Sequence, residues 1–253
     1  MVLSITVNEL PEQVAELCAI LGGIEGVAAV TIGGSRAAGT ADEGSDWDVG
    51  VYYRGGIDLA RLAHYGEVHP PGSWGRIMNG GAWVSLQGTK VDVLLRDLDV
   101  ALYWSGQARL GVYELDALLG YLAGAPTYSL MAELALNRTV NGHLPAVTEY
   151  PDALSQAGAR RWPLHANFSL THARMRAERG DIVGAVGQAA KAVIETAHAL
   201  ACRRRLWVVN EKKIVEQAGL QDLHTRFVDV PTSPQELVAW VEGLRAAIGR
   251  AGR

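Results

Sequence analysis

The chain has 253 residues, a formal net charge of −4 and an apolar fraction of 49%. These apolar residues suffice for a packed core, but no apolar run approaches the roughly 18 residues typical of a membrane span. Two cysteines, Cys18 and Cys202, are too few for a disulfide framework or a zinc site. No export signal is visible, so we expect a cytoplasmic protein with one large domain or two of ordinary size.

The first half of the chain alternates helical and strand patterns. The predicted elements are a helix over 11–21, strands over 27–32 and 49–53, a short helix over 57–65, a loop at 69–72, strands over 82–86 and 90–95, and a helix over 98–110. Gln87, Gly88 and Thr89 join the last two strands with hairpin length, so we expect these strands to be antiparallel. Asp97 is the predicted N-cap of the helix that follows.

Beyond residue 124 the strand signals fade and the pattern becomes helical. We predict helices over 127–136, 165–179 and 181–205, with Pro163 interrupting the chain before the second of them. The pattern therefore predicts an α+β protein with an α/β domain containing a mixed sheet at 1–125, followed by an α-helical domain at 126–253.

Charge is divided unevenly between the two predicted domains. Residues 1–125 carry 7 Lys and Arg against 15 Asp and Glu, whereas residues 126–253 carry 16 against 12. A basic helical half can attract polyphosphate. No basic strip interleaved with aromatic residues is present, so a dedicated nucleic-acid-binding protein is not expected.

A glycine turn and two aspartates mark the junction between the first two strands. Gly33, Gly34 and Ser35 follow the first strand, and Asp46 and Asp48 lie at the start of the second. Strand residues two apart point to the same face, so the two carboxylates would lie together and attract a cation such as Mg²⁺. Glycine lets the backbone approach a phosphate, and the Ser35 hydroxyl can donate to it. The alternative is an ordinary turn beside a solvated strand edge.

A third carboxylate is available on a later strand. Asp92 lies in an apolar run with a period of two, in which Val91, Val93 and Leu95 share the opposite face. We therefore expect Asp92 to project toward Asp48 from a neighbouring strand and to complete a set of three carboxylates on one edge of the sheet.

This arrangement resembles the nucleotidyltransferase superfamily, which includes DNA polymerase β and the antibiotic nucleotidyltransferases. The family signature is Gly-Ser, about ten residues, Asp-x-Asp between apolar residues, and a third carboxylate on a later strand. Here ten residues separate Ser35 from Asp46. The resemblance implies ATP as co-substrate and two Mg²⁺ ions held by Asp46, Asp48 and Asp92. A catalytic domain followed by a helical domain is similar to the aminoglycoside and lincosamide enzymes, whose helical domain helps enclose the acceptor.

The 181–205 helix carries a polar stripe opposite its predicted apolar side, which includes Val183, Val186 and Val193. The stripe is either a solvated face or the wall of a catalytic cleft. Its members are Gln188, Lys191, Glu195 and His198. After the helix, Asn210, Glu211 and Lys212 resemble the Asn-Glu-Lys segment of some bacterial members of the superfamily, in which a lysine could reach the triphosphate.

The resemblance implies an enzyme that transfers AMP from ATP to a hydroxyl of a small molecule, for instance an antibiotic, and releases pyrophosphate. Asp92 is the first candidate for general base and Glu195 the second. The candidate nucleotide-binding residues are Gly33, Gly34, Ser35, Arg36, Lys191 and Lys212. Two alternatives remain open: a toxin-antitoxin-type enzyme acting on protein or tRNA, and a non-catalytic ATP-binding module.

Overall fold

The computed structural model describes residues 10–38 and 44–251. The chain divides into two compact units, and the boundary is not a single point in the sequence. The first unit comprises Met1–Ala108, Tyr113–Leu119 and Pro126–Glu149, and the second comprises Arg109–Val112, Gly120–Ala125 and Tyr150–Arg253. No helix among the described residues is long and apolar enough to cross a bilayer.

Helices and strands alternate through the first 149 residues. In chain order they are α1 (Glu12–Gly22), β1 (Val27–Ile32), α2 (Gly34–Ala38), β2 (Trp47–Tyr53), β3 (Gly66–His69), β4 (Gly80–Leu86), β5 (Thr89–Asp97), α3 (Leu98–Arg109), the short strands β6 (Leu115–Asp116) and β7 (Ala125–Pro126), α4 (Ser129–Leu136) and β8 (Arg138–Gly142). Asp97 caps α3 as predicted, because its Oδ1 accepts from the amides of Asp99 at 2.9 Å and Val100 at 3.2 Å.

A six-stranded mixed sheet forms the centre of the first unit, in the order β3-β4-β5-β2-β1-β8. Among these described strands β2 and β5 run parallel, and the other neighbouring pairs are antiparallel. The predicted hairpin of β4 and β5 is confirmed. Its Gln87-Gly88 turn has positive φ at both residues, +50° and +88°, as a two-residue hairpin with right-handed twist requires. The predicted α+β class with a mixed sheet is therefore confirmed.

One face of this sheet is covered by α1. The buried residues Val14, Leu17 and Leu21 of α1 belong to the same apolar cluster as Val49 of β2 and Val93 of β5, and both of these valines are fully buried. Because side chains alternate along a strand, the residues next to these valines point to the opposite face. The face opposite to α1 can therefore carry polar side chains.

A buried ion pair fixes α4 to the first unit. Arg96 of β5 donates from Nε to Oε2 of Glu133 at 2.7 Å and from Nη2 to Oε1 at 2.6 Å. The Arg96 side chain is 1% exposed and that of Glu133 is 8% exposed. Nη1 of Arg96 also donates to the carbonyl oxygens of Met78 and Leu95. The guanidinium is thus well satisfied, as a buried charge must be.

The second unit is helical. Its elements are α5 (Asp152–Ala177), α6 (Ile182–Arg204), the short α7 (Ile214–Gln217), a 3-10 helix at Gln221–Phe227, and α8 (Pro234–Ala251). The predicted N-cap of α6 is confirmed, since Oδ1 of Asp181 accepts from the Gly184 amide at 2.9 Å. The helical character predicted for this part of the chain is therefore correct, although α8 was not predicted.

Two predictions within the helical unit are wrong. Pro163 lies inside α5 rather than between helices, because the packing of buried Trp162 and Ala166 on either side outweighs the loss of one backbone hydrogen bond. The predicted apolar side of α6 is also wrong in the first half of the helix, since Val183 is 86% exposed while Ala185 is fully buried, although Val193 on the predicted side is buried. Close packing of helices selects small side chains there, which hydropathy underestimates.

Local predictions differ from the structure in the first unit as well. The predicted helix over 57–65 is only a 3-10 turn at Leu62–His64, and the predicted loop at 69–72 begins with the end of strand β3. The predicted boundary at residue 125 assigns 126–149 to the helical domain, whereas this segment lies in the first unit. The reason is β8, which pairs with β1 although its side chains are half-buried or exposed and give no apolar alternation.

We expect Glu133→Ala to lower the free energy of unfolding by about 3–5 kcal/mol, because the substitution leaves the Arg96 charge buried without its carboxylate. Urea unfolding measures the loss. The double substitution Arg96→Met with Glu133→Leu should recover most of it, since both charges are then removed. Glu178→Ala, which breaks an exposed pair with Arg174, is the control and should cost less than about 1 kcal/mol. Equal losses for Glu133→Ala and Glu178→Ala would contradict the role given to the buried pair.

Candidate active site

Asp48 and Asp92 lie side by side on one face of the sheet. The parallel register of β2 and β5 pairs Asp48 with Asp92 and Val49 with Val93. Paired residues project from the same face, and both valines are buried in the core under α1. The two half-buried carboxylates therefore lie on the opposite face, as their strand phase predicts.

Asp46 is placed differently from these two aspartates. It precedes Trp47, the first residue of β2, and its side chain is exposed. Within residues 10–38 and 44–251, no group of three or more His, Cys, Asp or Glu side chains could hold a metal ion. The structure thus brings Asp48 and Asp92 together and does not hold Asp46 with them in one compact group.

The glycine turn after β1 packs directly against Asp48. Gly34 has a φ of +60°, and a Cβ atom added there would overlap Oδ2 of Asp48. The Gly33 amide donates to the Asp48 carbonyl oxygen at 2.8 Å. A Cβ atom at Gly33 would lie 2.9 Å from Oδ1 of Asn137. Close packing therefore requires both glycines, and it places the backbone of the turn beside a carboxylate.

Ser35 and Arg36 follow in α2, and both are half-buried. The Arg36 guanidinium lies 4.3 Å from the centroid of the Trp47 ring, and its Nη2 donates to the Ser45 carbonyl oxygen. Nε of Arg36 has no hydrogen-bond partner among the described residues. Arg36 therefore stabilises the segment that leads into β2 and leaves one donor unsatisfied.

Asn137, which sequence analysis did not find, links the glycine turn to the sheet. Its Nδ2 donates to Oγ1 of Thr31 at 3.2 Å and to the Tyr52 hydroxyl at 3.3 Å. The next residue, Arg138, pairs with Ile32 in the β1–β8 ladder, one residue from the turn. Asn137 and Thr31 are 106 residues apart in sequence, and no local pattern signals such a contact.

Comparison with protein families agrees with this geometry. Residues 10–102 match the family model described as a nucleotidyltransferase domain. The match spans the glycine turn and all three predicted aspartates, and it supports nucleotidyl transfer as the chemistry of the first unit. A comparison with curated protein sequences found no match.

Two solved structures are similar to this chain over most of its length. A nucleotidyltransferase-like protein from Exiguobacterium sibiricum has 10% sequence identity and a TM-score of 0.46, with 95% of this chain and 76% of that protein covered. An aminoglycoside 6-adenyltransferase from Bacillus subtilis has 10% identity and a TM-score of 0.30, with 96% of this chain and 92% of that protein covered.

The helical unit contains a cavity between α5 and α6. Three residues of the predicted polar stripe, Gln188, Lys191 and Glu195, line this cavity of about 530 Å³. The other lining residues are Leu164, His165, Phe168, Ser169 and His172. Nζ of Lys191 lies 4.0 Å from Oε1 of Glu195. These three members of the stripe therefore border a concave, mixed polar and apolar surface.

Glu195 is a buried acceptor in this cavity, with only 1% of its surface exposed. Burial raises the pKa of its carboxyl group, while a hydrogen bond from Ser169 and the charge of Lys191 act in the opposite direction. Oε2 of Glu195 has no hydrogen-bond partner among the described residues. The carboxyl group can thus accept a hydrogen bond from a molecule in the cavity.

The fourth member of the stripe, His198, belongs to the core. It is 1% exposed and stacks on Trp162, with ring centroids 4.4 Å apart and 9° between the planes. Burial lowers the pKa of His198 to about 3. The interpretation of the stripe as a solvated face is therefore wrong for His198 and Glu195.

Asn210 and Glu211 of the Asn-Glu-Lys segment form hydrogen bonds within the helical unit. Oδ1 of Asn210 accepts from the Lys212 amide at 2.9 Å. The Glu211 carboxylate accepts from the amides of Leu122 at 2.7 Å and Ala123 at 2.8 Å. The Lys212 side chain is exposed. Two of the three residues therefore have structural partners within the helical unit, and the lysine is open to solvent.

The lowered pKa of His198 predicts a pH dependence of stability. The folded protein keeps His198 neutral down to about pH 3, whereas the unfolded chain binds a proton near pH 6.5. The stabilisation linked to neutral His198 is fully present above pH 6.5. Below pH 6.5 the free energy of unfolding should fall by about 1.4 kcal/mol for each pH unit. Urea unfolding between pH 7 and pH 4 measures this slope.

The variant His198→Phe keeps a ring against Trp162 and should show a shallower slope than the wild type. Other groups titrate in both proteins, so the difference between the two slopes is the informative quantity. The control is His143→Phe at an exposed histidine, which should retain the wild-type slope. Identical slopes in the wild type and His198→Phe would contradict a buried, neutral His198.

Proposed function

We propose that this protein transfers AMP from ATP to a hydroxyl group of a small molecule and releases pyrophosphate. The observation that carries the proposal is the register of β2 and β5, which places Asp48 beside Asp92 in the nucleotidyltransferase domain. The glycine turn packs against Asp48. A phosphate-binding backbone and paired carboxylates are thus adjacent, as transfer of a phosphate-linked group requires.

The donor atoms of the site suit Mg²⁺. Asp48 and Asp92 offer hard carboxylate oxygens on one face of the sheet. Asp46, which the structure does not hold in one group with them, remains the third proposed ligand on the strength of the sequence. Two neighbouring carboxylates that face each other without a cation would repel. When bound, two Mg²⁺ ions would neutralise charge on the attacking and leaving oxygens of the transferred phosphate.

We assign the β- and γ-phosphates to the glycine turn. Backbone amides of the turn and the Ser35 hydroxyl can donate hydrogen bonds to phosphate oxygens. The space left by the missing Cβ atoms at Gly33 and Gly34 is taken by the side chains of Asn137 and Asp48. The unsatisfied Nε of Arg36 offers a further donor from the same segment. Lys191 and Lys212 of the helical unit remain proposed nucleotide-binding cations on the strength of the sequence.

The transfer itself is an in-line displacement at the α-phosphate. The acceptor oxygen forms a bond to the α-phosphorus, the bond from phosphorus to the bridging oxygen of pyrophosphate breaks, and the electron pair leaves with pyrophosphate. The hydroxyl proton passes to a carboxylate. Asp92 is the first proposed base because it lies beside Asp48 in the ladder, and Glu195, whose pKa is raised by burial, is the second.

Asp48→Asn should reduce the rate of AMP transfer by about 100- to 1,000-fold, because it removes one charge from the site of transfer while keeping its shape. The assay supplies ATP and Mg²⁺ with a panel of hydroxyl-bearing small molecules and follows label from the α-phosphate. Thermal unfolding should be unimpaired, since the substitution relieves repulsion with Asp92. Glu25→Gln, at an exposed turn of the same unit, is the control. Full activity in Asp48→Asn would contradict the proposal, and label found only in protein or tRNA would replace the small-molecule acceptor.

Glu195→Gln should depress turnover of the acceptor and spare the KM for ATP, because it keeps the size of the side chain and removes its ability to take a proton. Steady-state kinetics with each substrate varied in turn separates the two effects. Glu178→Gln, on the exposed side of α5's C-terminal end, should behave as the wild type. Wild-type turnover in Glu195→Gln would remove Glu195 from the reaction.

A further inference from the structure

A tryptophan lies next to the paired aspartates on the same face of the sheet. The antiparallel register of β4 and β5 pairs Trp83 with Asp92, and that of β3 and β4 pairs Glu67 with Trp83. The side chains of Glu67, Trp83, Asp92 and Asp48 therefore follow one another across four strands. Trp83 is 50% exposed, although the residues on either side of it in β4 are buried.

Trp83 is part of a cluster of three aromatic rings, which we call the aromatic platform: His69, Trp74 and Trp83. The His69 ring lies 4.4 Å from Trp83 and 4.9 Å from Trp74, measured between centroids. The two indoles are 5.7 Å apart and inclined by 32°. Mutual packing of this kind holds the exposed indole in one orientation.

Gly81 and Asn79 hold Trp74 in its place in the aromatic platform. Gly81 lies on the same face of β4 as Trp83, and a Cβ atom added at Gly81 would lie 2.6 Å from the Trp74 ring. The loop that carries Trp74 is fastened by Asn79, whose carbonyl oxygen accepts from the Trp74 amide at 3.0 Å and whose Nδ2 donates to the Tyr53 hydroxyl at 2.6 Å. Trp74 is thus fixed over a bare patch of the sheet.

The direction of in-line displacement decides which substrate meets the platform. The attacking and leaving oxygens lie on opposite sides of the α-phosphorus. Pyrophosphate is assigned to the glycine turn beyond Asp48, so the acceptor approaches from the opposite side, over Asp92. Neighbouring strands are about 4.8 Å apart, so an acceptor that has its hydroxyl at Asp92 and extends across the sheet away from Asp48 lies over Trp83.

We propose that the aromatic platform binds the acceptor by stacking, and that the acceptor is a hydroxyl-bearing compound with a flat-faced ring. This inference rests on the proposed function for the direction of transfer. An exposed indole offers a large apolar face with little conformational entropy to lose, and such faces stack on sugar rings and planar rings alike. Trp83 would therefore select cyclic acceptors over open-chain polyols with the same hydroxyl groups.

The test uses phenyl β-D-glucoside as a ring-bearing probe and sorbitol as an open-chain polyol. Titration of the ¹⁵N-labelled protein follows the Trp83 indole resonance, which is assigned by its absence from the Trp83→Phe spectrum. We expect a saturable shift with phenyl glucoside and none with sorbitol at the same concentration. Trp83→Ala should raise the Kd for phenyl glucoside by about tenfold, in line with the loss of one stacking contact.

Tyr103→Ala is the matched control, because Tyr103 is a 58% exposed aromatic residue of α3 outside the platform. It should keep the wild-type Kd. An unmoved Trp83 resonance in the wild type, equal binding of sorbitol, or an unchanged Kd in Trp83→Ala would each overturn the proposal. No ATP is present, so failure here leaves nucleotidyl transfer intact. Asp48→Asn should lose transfer and keep binding of the probe, which separates the two hypotheses.

Discussion

The parallel pairing of β2 with β5 is the constraint on which the candidate active site depends. Among the described strands it is the one parallel contact of the sheet, and it sets Asp48 opposite Asp92. A shift of one residue would turn one carboxylate into the apolar core and bring a valine to the polar face. The fully buried Val49 and Val93 oppose such a shift, because exposing either would forfeit its burial in the core. The hydrophobic core thus determines the geometry of the polar site.

Apolar contacts stabilise one face of the sheet, and an ion pair with hydrogen bonds stabilises the other. Under α1 the contacts are apolar and tolerant of small rearrangement, as hydrophobic burial is. On the other face, α4 is held by the directional ion pair of Arg96 with Glu133 and by hydrogen bonds of Asn137. Directional contacts fix α4 and β8 against the glycine turn, which is where precise placement of the backbone matters for a phosphate.

Burial decides which residues of the polar stripe on α6 can meet a ligand. Glu195 and His198 are three residues apart on α6 and both are almost fully buried, yet they differ in surroundings. His198 stacks on Trp162 and stays neutral, which makes it a core residue. Glu195 borders a cavity and retains an unsatisfied oxygen, which makes it the member of the stripe suited to meet a ligand.

Local sequence rules predicted several features of both units. The glycine turn, the phase of the aspartates along β2, the hairpin with its Gln87-Gly88 turn and the caps of α3 and α6 all depend on residues within a few positions of one another. Hydrophobic period and turn chemistry determine such features, so the sequence by itself predicted the α+β class and pointed to Asp48 and Asp92.

Only the tertiary structure decided which distant segments meet. β8 joins the sheet beside β1, and Asn137 lies against the glycine turn and bonds to Thr31, and neither contact leaves a local pattern. The burial of Glu195 likewise depends on how α5 packs on α6 rather than on the polarity of α6. Periodicity indicates which side of a helix or strand is apolar. Packing and strand register over the whole unit determine which neighbouring element covers that apolar side.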